Sequence, residues 1–319
     1  MRAFIFPGQG SQAVGMGKAL ADASPHAREV LQEVDEALGQ SLSRLMAEGP
    51  AEELTLTENA QPAIMANAIA TLRVLEKEGG VRLADRCDYV AGHSLGEYTA
   101  LCAASAFDLA TAARLLRTRG QAMQEAVPVG QGAMAALLGC DLEQARVIAG
   151  AAVDAILAEG GAELVCTVAN DNDPGQVVIS GHRAAVERAV PLAKELGAKR
   201  AVLLPVSAPF HCSLMQPAAE VMENALLDAD LRAPLVPVYC NVDAAPIAGP
   251  GQIRVALVQQ VTGMVRWRES ILCMVKDGVT EFVEFGGKVL GPMVKRIAPE
   301  VAVTSVVAMD DIEALSKTL

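Results

Sequence analysis

Apolar residues recur along this chain in two rhythms. Short continuous runs bounded by Pro, Gly or Asp read as buried strands, and longer stretches with apolar residues at i, i+3 and i+4 read as helices. The first run ends at Phe6 and is broken by Pro7-Gly8-Gln9-Gly10-Ser11-Gln12. Helices are expected over 25–38 and 60–78, the second stopped by Gly79-Gly80. A strand over 89–91 enters Gly92-His93-Ser94-Leu95-Gly96-Glu97, and a helix follows at once with Tyr98, Leu101 and Cys102 on one side. Asp108 caps the next helix, which runs to about Glu125 before Val127-Pro128-Val129-Gly130 breaks it.

From 129 onward the pattern changes. It predicts strand 133–138, helix 142–157, strand 164–170, a turn at Asp173-Pro174-Gly175, strand 177–180, helix 183–196 and strand 200–204. That βαββαβ order is the ferredoxin-like one. Strand and helix alternation of the first kind then resumes. Helices are expected over 214–227, 252–260, 267–276 and 289–297, with strands over 236–240, 280–285 and 303–307. The expected fold is α/β: a large domain with a parallel-sheet core from 1–128 plus 204–319, interrupted by a small ferredoxin-like domain at 129–203.

Composition narrows this picture. With 52% apolar residues in 319, the chain can bury one large core and an inserted lobe. Aromatics are only 3%, which favours helix-covered parallel sheet over a β-sandwich. A net charge of −12 argues against nucleic acid as a partner, so any anionic ligand must be met by local positive charge. The seven cysteines are scattered, without C-x-x-C or metal-type Cys/His spacing. No metal is expected, and no secretory pattern or apolar run of roughly 18–20 residues points to export or a membrane. A reduced, cytoplasmic chain is expected.

Ser94 carries the strongest chemical signal. A Gly-x-Ser-x-Gly turn between strand and helix is the setting of a nucleophile elbow. Its place at a helix N-terminus puts free N–H groups and the helix dipole beside any oxyanion formed there. A serine nucleophile needs a base, and the chain has four histidines. His26 begins an exposed-looking helix, and His182 suits a helix cap. His93 adjoins the serine and should point elsewhere. His211, in the loop Pro205-Val206-Ser207-Ala208-Pro209-Phe210-His211, is left by elimination. Arg119 falls on the apolar stripe of its helix, with Ala112, Leu115, Leu116 and Met123, whereas Arg114 and Arg117 do not. Either its stem packs while its head reaches solvent, or its guanidinium enters a cleft to hold a carboxylate. The Gly8/Gly10 loop lacks nucleotide-binding spacing, but its N–H groups suit one half of an oxyanion hole.

Together, the Pro7–Gln12 loop, Gly92–Glu97, Arg114-Leu115-Leu116-Arg117-Thr118-Arg119, Pro205–His211 and Leu257-Val258-Gln259-Gln260 resemble the malonyl-CoA:acyl carrier protein transacylase family. The resemblance extends from the first strand to Arg296. It implies an α/β-hydrolase-like large domain with a ferredoxin-like insertion, Ser94 as nucleophile and His211 as base. It further implies that the Gln260 carbonyl orients the imidazole, that N–H groups of Gln9 and Leu95 form the oxyanion hole, and that Arg119 grips the malonyl carboxylate. Phe210 is implied to wall the pocket, since in similar domains Phe here accompanies malonyl preference and Ser methylmalonyl preference. No cofactor is implied, because malonyl-CoA is a substrate and the pantetheine arm belongs to the carrier. An acidic carrier would meet Lys288, Lys295 and Arg296 or Lys194, Lys199 and Arg200, and a monomer is expected.

Two positions depart from the family pattern, Gly287 in Glu284-Phe285-Gly286-Gly287-Lys288 and Pro292 in Gly291-Pro292-Met293. The alternatives are a serine hydrolase using the same pair, a loader of a polyketide or malonate-utilising carrier, and a non-catalytic scaffold. The scaffold has no reason to keep both Ser94 and His211.

Overall fold

In the computed structural model, which describes residues 1–319, the chain forms two sheets. Their strands are β1 (Arg2–Phe6), β2 (Tyr89–Gly92), β3 (Gly132–Leu138), β4 (Cys166–Asp173), β5 (Gln176–His182), β6 (Arg200–Leu203), β7 (Val238–Cys240), β8 (Ala245–Ile247), β9 (Glu281–Phe285) and β10 (Ala302–Val306). The large sheet runs β10-β9-β1-β2-β7-β8, parallel except for the last pair. Helices cover both faces, which explains the unbroken apolar runs. Phe4 and Phe6 join Phe285 in one core with helices Thr57–Lys77 and Leu109–Glu125. Ala3 and Ile5 point the other way, toward Trp267 and Leu290. Successive side chains of a strand alternate between faces, so each layer has its own core.

The small sheet has the order β4-β5-β3-β6 and is antiparallel throughout. Helices Leu142–Ala158 and Arg183–Glu195 cover one of its faces. Ala133, Ala135 and Leu137 of β3 enter a core drawn wholly from this segment. Met134 and Ala136 face the cleft below the lobe instead. The lobe is tied down along β4: Asp171 N–H donates to Val265 O and Val265 N–H to Ala169 O, at 3.0 and 2.8 Å. Arg268 and Arg296 of the large lobe pair with Asp171 and Asp173, at 3.0 and 2.8 Å.

The structure differs from the sequence expectation at β4, which starts at Cys166 and continues to Asp173 rather than covering 164–170. Asn170-Asp171-Asn172-Asp173 looks like loop, yet pairing with β5 and the bridge to Val265 keep it extended. The helix expected from 214 opens as a 3₁₀ turn, Ser213–Met215, before Gln216–Asp228. Strand β8 and the short helices Lys18–Ala23, Leu42–Glu48, Ala51–Thr55 and Leu83–Arg86 were not anticipated. Neither was the final helix, Met309–Ser316. Such segments are too brief for periodicity to declare them.

Candidate active site

Ser94 lies at the carboxyl end of β2, where ligands bind in open parallel sheets. Its φ of 53° and ψ of −111° are a strained setting for a side-chain-bearing residue, worth about 1–3 kcal/mol. The flanking glycines make the turn possible. A Cβ on Gly92 would lie 1.9 Å from the backbone of Gly96, and one on Gly96 would lie 2.3 Å from Phe6 O. Asn241, immediately after β7, locks the turn: its Oδ1 accepts Ser94 N–H at 2.8 Å, and its Nδ2 donates to Gly92 O at 2.7 Å.

Ser94 Oγ stands 2.7 Å from His211 Nε2, and His211 Nδ1 stands 2.8 Å from Gln260 O. A carbonyl only accepts, so Nδ1 carries the proton and Nε2 offers its lone pair to the serine hydroxyl. Burial, reinforced by the Arg119 charge, pulls the His211 pKa down to about 3, so the imidazole is neutral and able to accept a proton. The other histidines are elsewhere engaged. His93 holds Asn172 Oδ1 at 2.8 Å through Nε2, with its ring against Trp267. His26 sits near the surface beside Glu29. His182 occupies a helix N-cap position but does not cap; its Nδ1 instead accepts Val165 N–H at 2.8 Å. The capping expectation fails because β5 continues to His182 and turns the ring toward β4.

Arg119 is 1% exposed, which decides between the two readings of its helix: the head lies inside the protein. Nη1 donates to Gln61 Oε1 at 2.8 Å, and Nη2 to Gln260 Oε1 at 2.9 Å and Ser94 Oγ at 3.2 Å. Every acceptor is neutral, and no carboxylate pairs with it. A buried guanidinium that no carboxylate touches, beside a serine hydroxyl, has the geometry to take a carboxylate in a bidentate pair. Arg114 is exposed and Arg117 half-buried, as the periodicity requires.

A cleft of about 330 Å³ between the lobes reaches this group and is lined by Gln9, Leu95, Met134, Phe210, Leu290 and Met293 among others. No side chain or turn carbonyl accepts the N–H of Gln9 or Leu95, leaving both able to serve an oxyanion. Gly287 packs closely on Pro7 and on Glu284, whose carboxylate accepts N–H groups of Val289, Leu290 and Gly291. Neither Gly287 nor Pro292 lines the cleft itself, although Val289, Leu290 and Met293 beside them do. Phe210 is 8% exposed on the cleft. Phe210→Ser is expected to raise methylmalonyl use relative to malonyl by roughly tenfold, one methyl being worth about 1–3 kcal/mol. A competition assay with an unchanged ratio would reject this placement of the ring.

Sequence reasoning missed Asn241, Gln61, Asn172 and the buried Glu97 as partners in the site. Asn241 alone left a signal, a polar residue just past the carboxyl end of a parallel strand.

A family model described as acyl transferase domain matches residues 3–286. The chain is 46% identical over 318 residues to the malonyl CoA-acyl carrier protein transacylase of Bacillus subtilis, covering 99% of this chain and 96% of that one. The acyl-carrier-protein-S-malonyltransferase of Bartonella henselae superposes with a TM-score of 0.94 at 51% identity, covering 99% and 98% of the two chains. A malonyl-transacylase in complex with a type II PKS acyl-carrier protein superposes at 0.93 with 39% identity, covering 100% and 99%. The chain belongs to the acyl transferase family, within the group of malonyl-CoA:acyl carrier protein transacylases.

Proposed function

We propose that this chain transfers the malonyl group of malonyl-CoA to the phosphopantetheine thiol of an acyl carrier protein, supplying extender units for fatty acid synthesis. Arg119 carries the reading: a buried cation that no carboxylate touches, 3.2 Å from the nucleophilic oxygen. Ser94 Oγ attacks the thioester carbonyl while His211 Nε2 takes its proton. The oxyanion is held by the N–H groups of Gln9 and Leu95. The carbon–sulfur bond breaks, His211 returns the proton to the departing thiolate, and malonyl-Ser94 remains. The carrier thiol then runs the same steps in reverse, so the kinetics are ping-pong. A hydrolase would use the same pair, but a general esterase has no need of a buried guanidinium. No helix is long and apolar enough to cross a membrane, in keeping with water-borne thioester substrates.

Separate incubation with malonyl-CoA and acetyl-CoA, followed by intact mass and then addition of carrier, tests the reading. A malonyl adduct that passes to the carrier supports it. An adduct lost to water at the same rate with or without carrier would make the chain a hydrolase.

The carrier must dock through local cations, because the chain's own charge of −12 opposes an acidic partner. Among the candidates, Arg296 is committed to Asp173 across the lobes, and Lys295 reaches Pro299 O at 3.4 Å. Lys199 lies over Gly139. Lys288 is exposed, has no ion pair, and adjoins Val289 and Leu290 of the cleft wall. Lys288→Glu is expected to raise the carrier KM by about twofold to fivefold, with malonylation by malonyl-CoA little changed. An unchanged carrier KM would move the docking site to the Lys194, Lys199 and Arg200 cluster.

A further inference from the structure

Glu97 is a carboxylate with 1% exposure in the first turn of the helix behind Ser94, and the mechanism gives it no task. Its Oε2 accepts Gln260 Nε2 at 2.7 Å and Asn241 N–H at 3.1 Å, both neutral donors. No lysine or arginine lies within ion-pair distance of it. The nearest cation, Arg119, stands on the far side of one carboxamide: Gln260 Nε2 faces Glu97, and Gln260 Oε1 faces Arg119 at 2.9 Å. The amide is thus polarised from both ends, between a buried anion and a buried cation.

The other ionisable groups around Glu97 are Tyr98 on its own helix, Cys240 of β7 and Asp243 just beyond it, with His211 past Arg119. Burial keeps Tyr98 and Cys240 protonated, and His211 is neutral. Asp243 is exposed to solvent. With Glu97 ionised, the buried charge around Ser94 therefore comes down to Arg119 and Glu97, which cancel. A malonyl carboxylate at Arg119 leaves one anion too many around the buried Gln260 amide, and an uncompensated buried anion is strongly disfavoured.

We infer that Glu97 is the counter-charge of the empty acyl pocket and takes up a proton when the acyl carboxylate binds at Arg119. The inference rests on the transferase reading of Arg119. The hydrogen bonds permit it, because both donors converge on Oε2, which still accepts them, more weakly, as the carbonyl oxygen of a protonated carboxyl. Gln260 then keeps its place, and its main-chain carbonyl still orients His211. Burial has already pushed the Glu97 carboxyl up to about 7, so the proton is within reach at neutral pH. Above that pH the complex holds a proton that the free protein lacks. Malonyl-CoA affinity should then fall by up to about tenfold per pH unit, while acetyl-CoA affinity, which involves no carboxylate, should not follow.

The test uses the full chain carrying Ser94→Ala, which binds acyl-CoA without reacting. Calorimetric titration at pH 8 in two buffers of different protonation enthalpy counts the protons exchanged. The expected result is uptake of about one proton more with malonyl-CoA than with acetyl-CoA, lost when Glu97→Gln is added. Equal exchange for the two ligands, with malonyl-CoA still the tighter, overturns the inference and leaves the transferase reading standing. Uptake that persists in Glu97→Gln assigns the proton to another group and also overturns it. Malonyl-CoA binding no tighter than acetyl-CoA would remove the Arg119 reading and this one together. If Glu97→Gln does not fold, the malonyl–acetyl difference and its pH slope in the Ser94→Ala chain decide alone.

Discussion

Ser94→Ala is expected to abolish the acyl-enzyme and carrier acylation together, because no other hydroxyl or thiol is placed to replace the Ser94 oxygen against His211 Nε2. His211→Ala should leave the fold intact and lower transfer by roughly 10²–10⁴-fold, the usual worth of a positioned base. Intact mass after exposure to malonyl-CoA reads the first, and steady-state transfer to carrier reads the second. An ester still formed by Ser94→Ala would place the nucleophile elsewhere. Near-normal turnover in His211→Ala would force His93 to be reconsidered, although its Nε2 is held by Asn172. The pH dependence follows from the same geometry. A lowered pKa keeps His211 unprotonated well below 6.5, so the acid limb of malonyl-enzyme formation should lie on the acid side of ordinary histidine titration. Stability has the matching sign. It is full above the unfolded histidine value and declines as pH falls from there toward about 3, because the unfolded chain takes up the proton first.

What could be read from the sequence depended on whether a residue's surroundings were local. Ser94 announces itself because strand, glycine turn and helix are consecutive, and the small lobe because its six elements follow one another without interruption. Arg119 shows as a cation on an apolar stripe, yet only the fold shows that its head is buried and that no carboxylate touches it. The Gln260 contribution to His211 is a main-chain carbonyl, available from any residue type, so composition and spacing give no sign of it. Family resemblance supplied that role. Asn241 and Gln61 reach the site across 147 and 58 residues of sequence, through hydrogen bonds to Ser94 and Arg119. The run from Asn170 to Asp173 misleads for a related reason. Its polarity suggests a loop, but Asp171 and Asp173 turn to the large lobe's arginines while Asn170 and Asn172 line the cleft. Alternation along a strand is still present there; it separates two kinds of polar partner instead of water from core.

Arg119→Ala is expected to lower malonyl transfer by roughly 10²–10³-fold while leaving acetyl transfer within a few-fold of its starting rate. Removing the guanidinium strands the malonyl carboxylate in a buried pocket, which costs about 3–5 kcal/mol when one partner of such a pair is lost. An acetyl group brings no charge and suffers no such loss. The substitution also unburdens Gln61 Oε1 and Gln260 Oε1 of their shared donor, so some loss of thermal stability should accompany it. That stability loss falls on both substrates alike and divides out of the malonyl-to-acetyl ratio of kcat/KM, which is the quantity to measure. Arg119→Lys should lie between. It keeps the charge but has no planar fork to reach Gln61, Gln260 and the ligand at once. If malonyl and acetyl transfer fall equally in Arg119→Ala, the guanidinium is a packing group, and the cation in the cleft does not select the acyl chain.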